Sequence, residues 1–185
     1  MPKKIVIPEM SGWDSKREEF VSVKETAITL EHSLISLQKW ESKWHKPYFS
    51  KQEKTTEEVI DYIRCMTLTP NVDPDIYNYI PSNIIGEIAE YINDPMTATT
   101  FGGQQANGPQ RTIGGDKITA EIIYYWMIAL EIPVEYRKWH LNQLITLIRI
   151  CEIKQSPGKK MGKNDIMAQN RALNAKRRAA RHSRG

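Results

Sequence analysis

Apolar residues recur along most of this chain at helical spacing, with alternating runs confined to its first thirty residues. The longest periodic stretch is Lys117 to Lys154, KITAEIIYYWMIALEIPVEYRKWHLNQLITLIRICEIK. It predicts two helices. One runs from about Thr119 to Leu130, with Thr119 as N-cap and Glu121 in the first turn, where a negative charge suits the helix dipole. The other opens at Pro133, whose missing N–H costs nothing at a first helical position, and runs to about Lys154. Trp139, Leu141, Leu144, Ile145, Ile148 and Cys151 fall near i, i+3, i+4, i+7 spacing and predict one buried face. Tyr124-Tyr125-Trp126 is apolar all round, which predicts burial on more than one side. Neither helix holds the roughly 18–20 unbroken apolar residues that a membrane span requires.

Upstream, Lys3 to Pro8 and Glu19 to Val23 read as short strands broken by Pro8 and Ser11-Gly12, hence a small hairpin, and Thr26 to Leu30 alternates as a third strand. Ser33 caps a helix to about Lys43 with Leu34, Ile35, Leu37 and Trp40 inward. Thr55 and Glu58 have capping-box spacing ahead of a helix with Val59, Ile60, Ile63 and Met66 on one stripe. A short helix starts at Asp73-Pro74-Asp75. Another runs from Ser82-Asn83 through Tyr91, with Ile84, Ile85, Ile88 and Ile92 inward, and Asp94-Pro95 stops it. Thr97 to Gly115 has five glycines and few core anchors, so a mobile surface loop is expected. The fold class expected is α+β, mainly α-helical, with the short hairpin or small sheet packed on a helical body.

Charge divides the chain. From Lys154 onward ten Lys and Arg face one acid, so that part carries +9 and the residues before it −5, against a total of +4 over 185 residues. Two parts are expected: a globular domain over residues 1–153 and a basic tail over 154–185, disordered or partly helical. Cys65 and Cys151 sit among apolar residues and read as buried free thiols. With no secretory leader pattern at Met1, a reducing cytoplasm is the expected compartment.

Little in the sequence carries catalytic chemistry. The glycine pairs 102–103 and 114–115 lack the phosphate-loop pattern. His32, His45, His140 and His182 show no metal-ligand spacing. Glu41, Glu57, Glu58 and Asp61 read as carboxylates on helix faces, with no acid–base pair. No cofactor and no enzyme activity are expected. Two features suit binding instead. Trp40, Trp44, Tyr124, Trp126 and Trp139 are aromatic anchors that either fill the core or present a groove to a partner helix. Lys176, Arg177, Arg178 and Arg181 can contact phosphates or dock a partner, without the interleaved aromatics that base stacking uses.

Four phrases carry a resemblance. LEHSLISLQKWESKWHKPY (Leu30–Tyr48), MTATTF (Met96–Phe101), ITAEIIYYWMIALEIPVEYRKWHLNQLITLIRIC (Ile118–Cys151) and RALNAKRR (Arg171–Arg178) together resemble the tail assembly chaperones of tailed bacteriophages. The resemblance covers most of the chain and rests on phrases rather than a catalytic motif. It implies a non-enzymatic protein of the infected host's cytoplasm that holds the apolar, helix-rich tape measure protein soluble until the tail tube forms around it. It also implies a longer product made by frameshifting near the end of this one, for which Gly162-Lys163-Asn164 permits a slippery codon run; the aromatic surplus leaves a homo-oligomer open beside tape measure binding. The alternative is a virion structural or nucleic-acid-binding protein acting through the basic tail.

Overall fold

The computed structural model describes residues 2–14, 18–101 and 118–155, and the isolated positions 167, 171 and 174. The architecture is α+β and mainly helical, as the periodicities predict: four strands, then helices to the end of the described chain. No helix among the described residues is long and apolar enough to cross a membrane.

The strands are β1 (Lys3–Ile7), β2 (Met10–Asp14), β3 (Glu19–Val23) and β4 (Thr26–Leu30). β1 pairs with β4 and β2 with β3, both antiparallel. Ile7 lies opposite Thr26 and Met10 opposite Val23, so one register runs through both pairs. The result is a nested ribbon, a form of the small sheet expected, in which β1 pairs with β4 and not in a hairpin with Glu19–Val23. Pro8 ends the first pairing, because it has no N–H to give the ladder, but the two arms resume in step. β2 is missed from sequence because Ser11-Gly12 looks like a break; in a strand whose own residues are exposed the local propensity can be this weak.

The inner half of the ribbon is well covered. Ile5, Ile7, Ile28 and Leu30 are all at most 2% exposed. The β4 edge is taken up by the chain after α2 (Thr56–Met66). There Glu31 N–H donates to Met66 O, Leu68 N–H to Thr29 O, both at 2.8 Å, and Thr29 N–H to Thr69 Oγ1 at 2.9 Å. Thr55 caps α2 through the expected box: Glu58 N–H donates to Thr55 Oγ1 and Thr55 N–H to Glu58 Oε2.

α1 (Leu34–Trp44) separates two cores. Trp40 points into the first, with the inner strands, α2, the 3-10 turn Pro74–Tyr79 and α3 (Ser82–Asn93). Leu34 and Leu37 point into the second, with α4 (Ala120–Ala129) and α5 (Leu141–Gln155). The single helix predicted from Pro133 is instead a 3-10 turn, Val134–Lys138, followed by an extended Trp139 and then α5. Trp139 therefore leaves the predicted stripe and stacks on Tyr136 at 4.1 Å. The stripe itself is buried at Leu141, Leu144 and Ile148.

One carboxylate joins these parts. Glu41, only 7% exposed, accepts Tyr48 N–H on one oxygen and Ala120 N–H on the other, both at 2.7 Å. Thr119 makes no side-chain cap bond to α4. Glu41, 79 positions away, serves as the cap, with its negative charge at the positive end of the helix. Burial pushes the Glu41 carboxyl above its ordinary range, and the two N–H donors act against that push.

The chain falls into two compact units, Met1–Cys151 and Glu152–Gly185. The division expected from composition, at residue 153, falls inside α5. In the second unit only the end of α5 and helical positions Met167, Arg171 and Asn174 are described. Most of the predicted glycine-rich loop and of the basic tail lies outside the described residues.

Two substitutions test this geometry. Leu144→Ala, at a fully buried site, should lower unfolding free energy by about 2–5 kcal/mol in urea titrations. Glu41→Ala leaves two N–H groups without their acceptor and should cost about 2–4 kcal/mol, whereas Glu57→Ala on the wet face of α2 should change stability by less than about 0.5 kcal/mol.

Candidate partner-binding surface

The five aromatic anchors named from sequence do not form one surface. Trp40 is 1% exposed, donates its indole N–H to Glu58 O at 2.9 Å and packs edge-on against Tyr48 and Tyr62. Trp126 is 8% exposed in the second core. Both are core residues and offer a partner no face, which corrects the groove reading for these two. Trp44 is half-buried, and its indole N–H donates to Asp61 Oδ2 at 2.9 Å. Asp61 also takes the Lys43 ammonium. Tyr124 is half-buried with its hydroxyl donated to Gln38 Oε1 at 3.2 Å. Trp139 is half-buried against Tyr136. Lys176, Arg177, Arg178 and Arg181 lie outside the described residues.

The exposed apolar surface is elsewhere. On α4 the buried stripe is Ala120, Ile123, Trp126 and Met127. At 100° per residue the opposite side of that helix carries Glu121, Tyr125, Ile128 and Ala129. Tyr125 is 63% and Ile128 77% exposed, and Val134, just past the helix, is 55% exposed. A helix apolar on all sides is ordinarily buried on all sides; here one side of α4 is open. The expectation that Tyr124-Tyr125-Trp126 is buried on more than one face therefore fails at Tyr125. The sequence carries a signal of this, since Glu121 is the sole charged residue from Ala120 to Ala129 and any side that faces water exposes apolar atoms beside it.

Buried polar groups lie between the cores, at two of the histidines that show no metal-ligand spacing. His32 and His140 are 2% and 0% exposed, with rings 5.0 Å apart. The Tyr62 hydroxyl lies 2.6 Å from His32 Nδ1. His32 N–H donates to the Tyr91 hydroxyl, and His140 Nε2 is 3.0 Å from Tyr91 O. Leu141 N–H donates to His32 O at 2.8 Å, fastening the start of α5 to the strand-to-helix link before α1. Burial, helped by the neighbouring His140, holds the His32 imidazole down to about 3, and burial also lowers His140. Both rings are neutral near pH 7, and the tautomer of His32 sets which partner of the Tyr62–His32 hydrogen bond donates. A Tyr–His pair shut away from solvent has no access for a substrate; its chemistry here is to tie elements together. Among the described residues no group of three or more His, Cys, Asp or Glu is placed to hold a metal ion.

No protein-family model matches the chain, and no curated protein and no solved structure matches it.

The neutral histidine gives a pH prediction. The unfolded chain takes up a proton at His32 below its ordinary value of 6.5, and the native chain does so only near 3. His32 therefore makes the fold lose stability as pH falls through that window, by about 1.4 kcal/mol per pH unit. Urea midpoints across the window should show a shallower acid loss for His32→Gln than for the parent chain. Parallel curves would place the acid sensitivity in other groups.

Proposed function

We propose that this chain is a non-enzymatic assembly chaperone of phage tails, which binds an apolar helical stretch of the tape measure protein and keeps it soluble. The observation that carries this reading is the open side of α4, where Tyr125 and Ile128 are 63% and 77% exposed on a helix with hardly any polar side. A partner helix with apolar residues at i, i+3, i+4 and i+7 matches such a face. The phrases from Leu30 to Tyr48 and from Ile118 to Cys151 support the choice of partner, and the second of them includes all of α4. Host cytoplasm is the compartment this role requires.

The basic tail favours a second reading, binding to nucleic acid, on its +9 charge alone. Salt separates the two. Phosphate contacts release counterions and weaken steeply with ionic strength, whereas burial of an apolar face does not.

The test is co-expression with the tape measure protein followed by co-purification. A Tyr125→Ser/Ile128→Ser chain should lose at least ~10-fold in affinity, since truncated anchors at the centre of an interface cost ~2 kcal/mol or more. Its circular dichroism should be unchanged, because both side chains are already exposed. A chain ending at Lys154 should retain most of the binding. Binding abolished by removing the tail and untouched by the α4 changes would move the function to the tail.

A further inference from the structure

Two histidines close the seam between the cores. His32 lies in the link from β4 to α1, and His140 directly precedes α5. From His140 onward, consecutive residues bind across the seam. His140 Nε2 is 3.0 Å from Tyr91 O. Leu141 N–H donates to His32 O at 2.8 Å, and Asn142 Nδ2 donates to Ile92 O and Asp94 O at 2.9 and 2.8 Å. A carbonyl oxygen only accepts, so His140 Nε2 carries the proton of the neutral ring. Its Nδ1 is then a bare lone pair, buried and without a hydrogen-bond partner in the protein. That is the atom a further proton reaches.

The closed chain has no place for that proton. It would stand at the positive end of α5, where His140 O accepts Leu144 N–H, with the His32 ring 5.0 Å away. The other titratable groups around the pair are Tyr62 from α2, Tyr91 and Asp94 at the end of α3, Glu31 beside His32, and the amino-terminal charge. Of these only Asp94 and Glu31 are negative; Asp94 is exposed, and burial outweighs it at His140.

We infer that this seam is a proton-operated latch: a proton at His140 frees the start of α5 from the first core while that core stays closed. Opening uncovers Leu141 and Leu144, which are fully buried in the closed chain. The device is independent of the α4 reading. Both imidazoles lie below their ordinary value in the closed chain and return towards 6.5 once solvated, so opening is favoured as pH falls below 6.5. Each ring contributes up to about tenfold per pH unit to that equilibrium. The buried carboxylates respond differently. In the first core the Lys46 ammonium and Thr55 N–H hold Glu58 below its ordinary 4.5, so acid weakens its contacts only under that value. Burial raises Glu41, so falling pH favours its folded form. Between about pH 6.5 and 4.5 the histidine seam therefore gives way first.

Amide hydrogen exchange of the full chain, read as protection factors from pH 7 to pH 5, tests this. Leu141 N–H reports the seam, and Leu68 N–H, bound to Thr29 O, reports the first core. Leu141 protection should fall at least ~5-fold between pH 6 and pH 5, while Leu68 protection holds. His140→Gln keeps an N–H for Tyr91 O and takes up no proton; with His32→Asn it should flatten the Leu141 profile, whatever its level. A merely structural pair would lower the level and leave the slope. If either variant fails to fold, the two parent amides decide the matter. Leu141 protection that is flat with pH, or that falls in step with Leu68, would overturn the inference, as would an unchanged slope in the folded double variant.

Discussion

The two N–H groups that end on Glu41 hold the described body together. One comes from the turn after α1 and the other from the first residue of α4. Without that carboxylate α4 has no cap, because Thr119 makes none. A buried carboxylate is costly unless its oxygens are filled, and here both are. The arrangement makes α1 the common wall of two cores, with Trp40 on one side and Leu34 and Leu37 on the other. The His32–Tyr62–Tyr91–His140 contacts fasten the same wall from its other end, and there every ring is neutral. The negative group has both oxygens filled, and at the uncharged end His32 Nδ1 and His140 Nε2 are partnered while His140 Nδ1 is not.

Much of this fold is legible in the sequence, and the exceptions have physical causes. Helix positions come from period and caps: Thr55 with Glu58, Ser82 after a proline, and Leu141, Leu144 and Ile148 on one stripe. The break before α5 is not legible, because Val134 to His140 is as helix-compatible as α5 itself; the tertiary bond from Leu141 N–H to His32 O settles where the α-helix begins. β2 is hidden by Gly12 and by strand pairing that depends on its partner rather than on itself. Glu41 and Asp61 read as acids on helix faces because one sequence cannot show that Glu41 meets Ala120 N–H and that Asp61 meets Trp44 and Lys43 from another helix. The aromatic anchors divide for the same reason. Tryptophan marks burial well, so Trp40 and Trp126 went to the cores. The open side of α4 is carried by Tyr125 and Ile128, which only the packing of the opposite side distinguishes from Ile123 and Met127.

The open side of α4 and the outer ribbon differ in kind. The face of α4 belongs to a helix held rigidly by the second core, so a partner meets a shape that is already formed and little ordering entropy is lost. The outer ribbon, β2 with β3, has its own pairing and one valine, Val23, against the body, and an isolated two-stranded ribbon is marginal in water. Stiffness is thus divided: the helical face is formed in advance, and the outer strand pair is held mainly by its own ladder.

The order in which residues leave the ribosome gives the double core a further meaning. The buried members of the first core all lie between Ile5 and Tyr91, whereas the second needs Leu34 and Leu37 together with residues up to Ile148. Synthesis adds about 5–20 residues per second, and hairpins and helices form in about a microsecond to ten microseconds. The first core can therefore close while the second half is still being made. For several seconds afterwards, Leu34 and Leu37 are bare and Glu41 has only the first of its two donors. During that interval the nascent chain displays an apolar stripe beside an acid with one oxygen still open to water. Arrival of Ala120 ends it by supplying the second donor and laying α4 over the stripe.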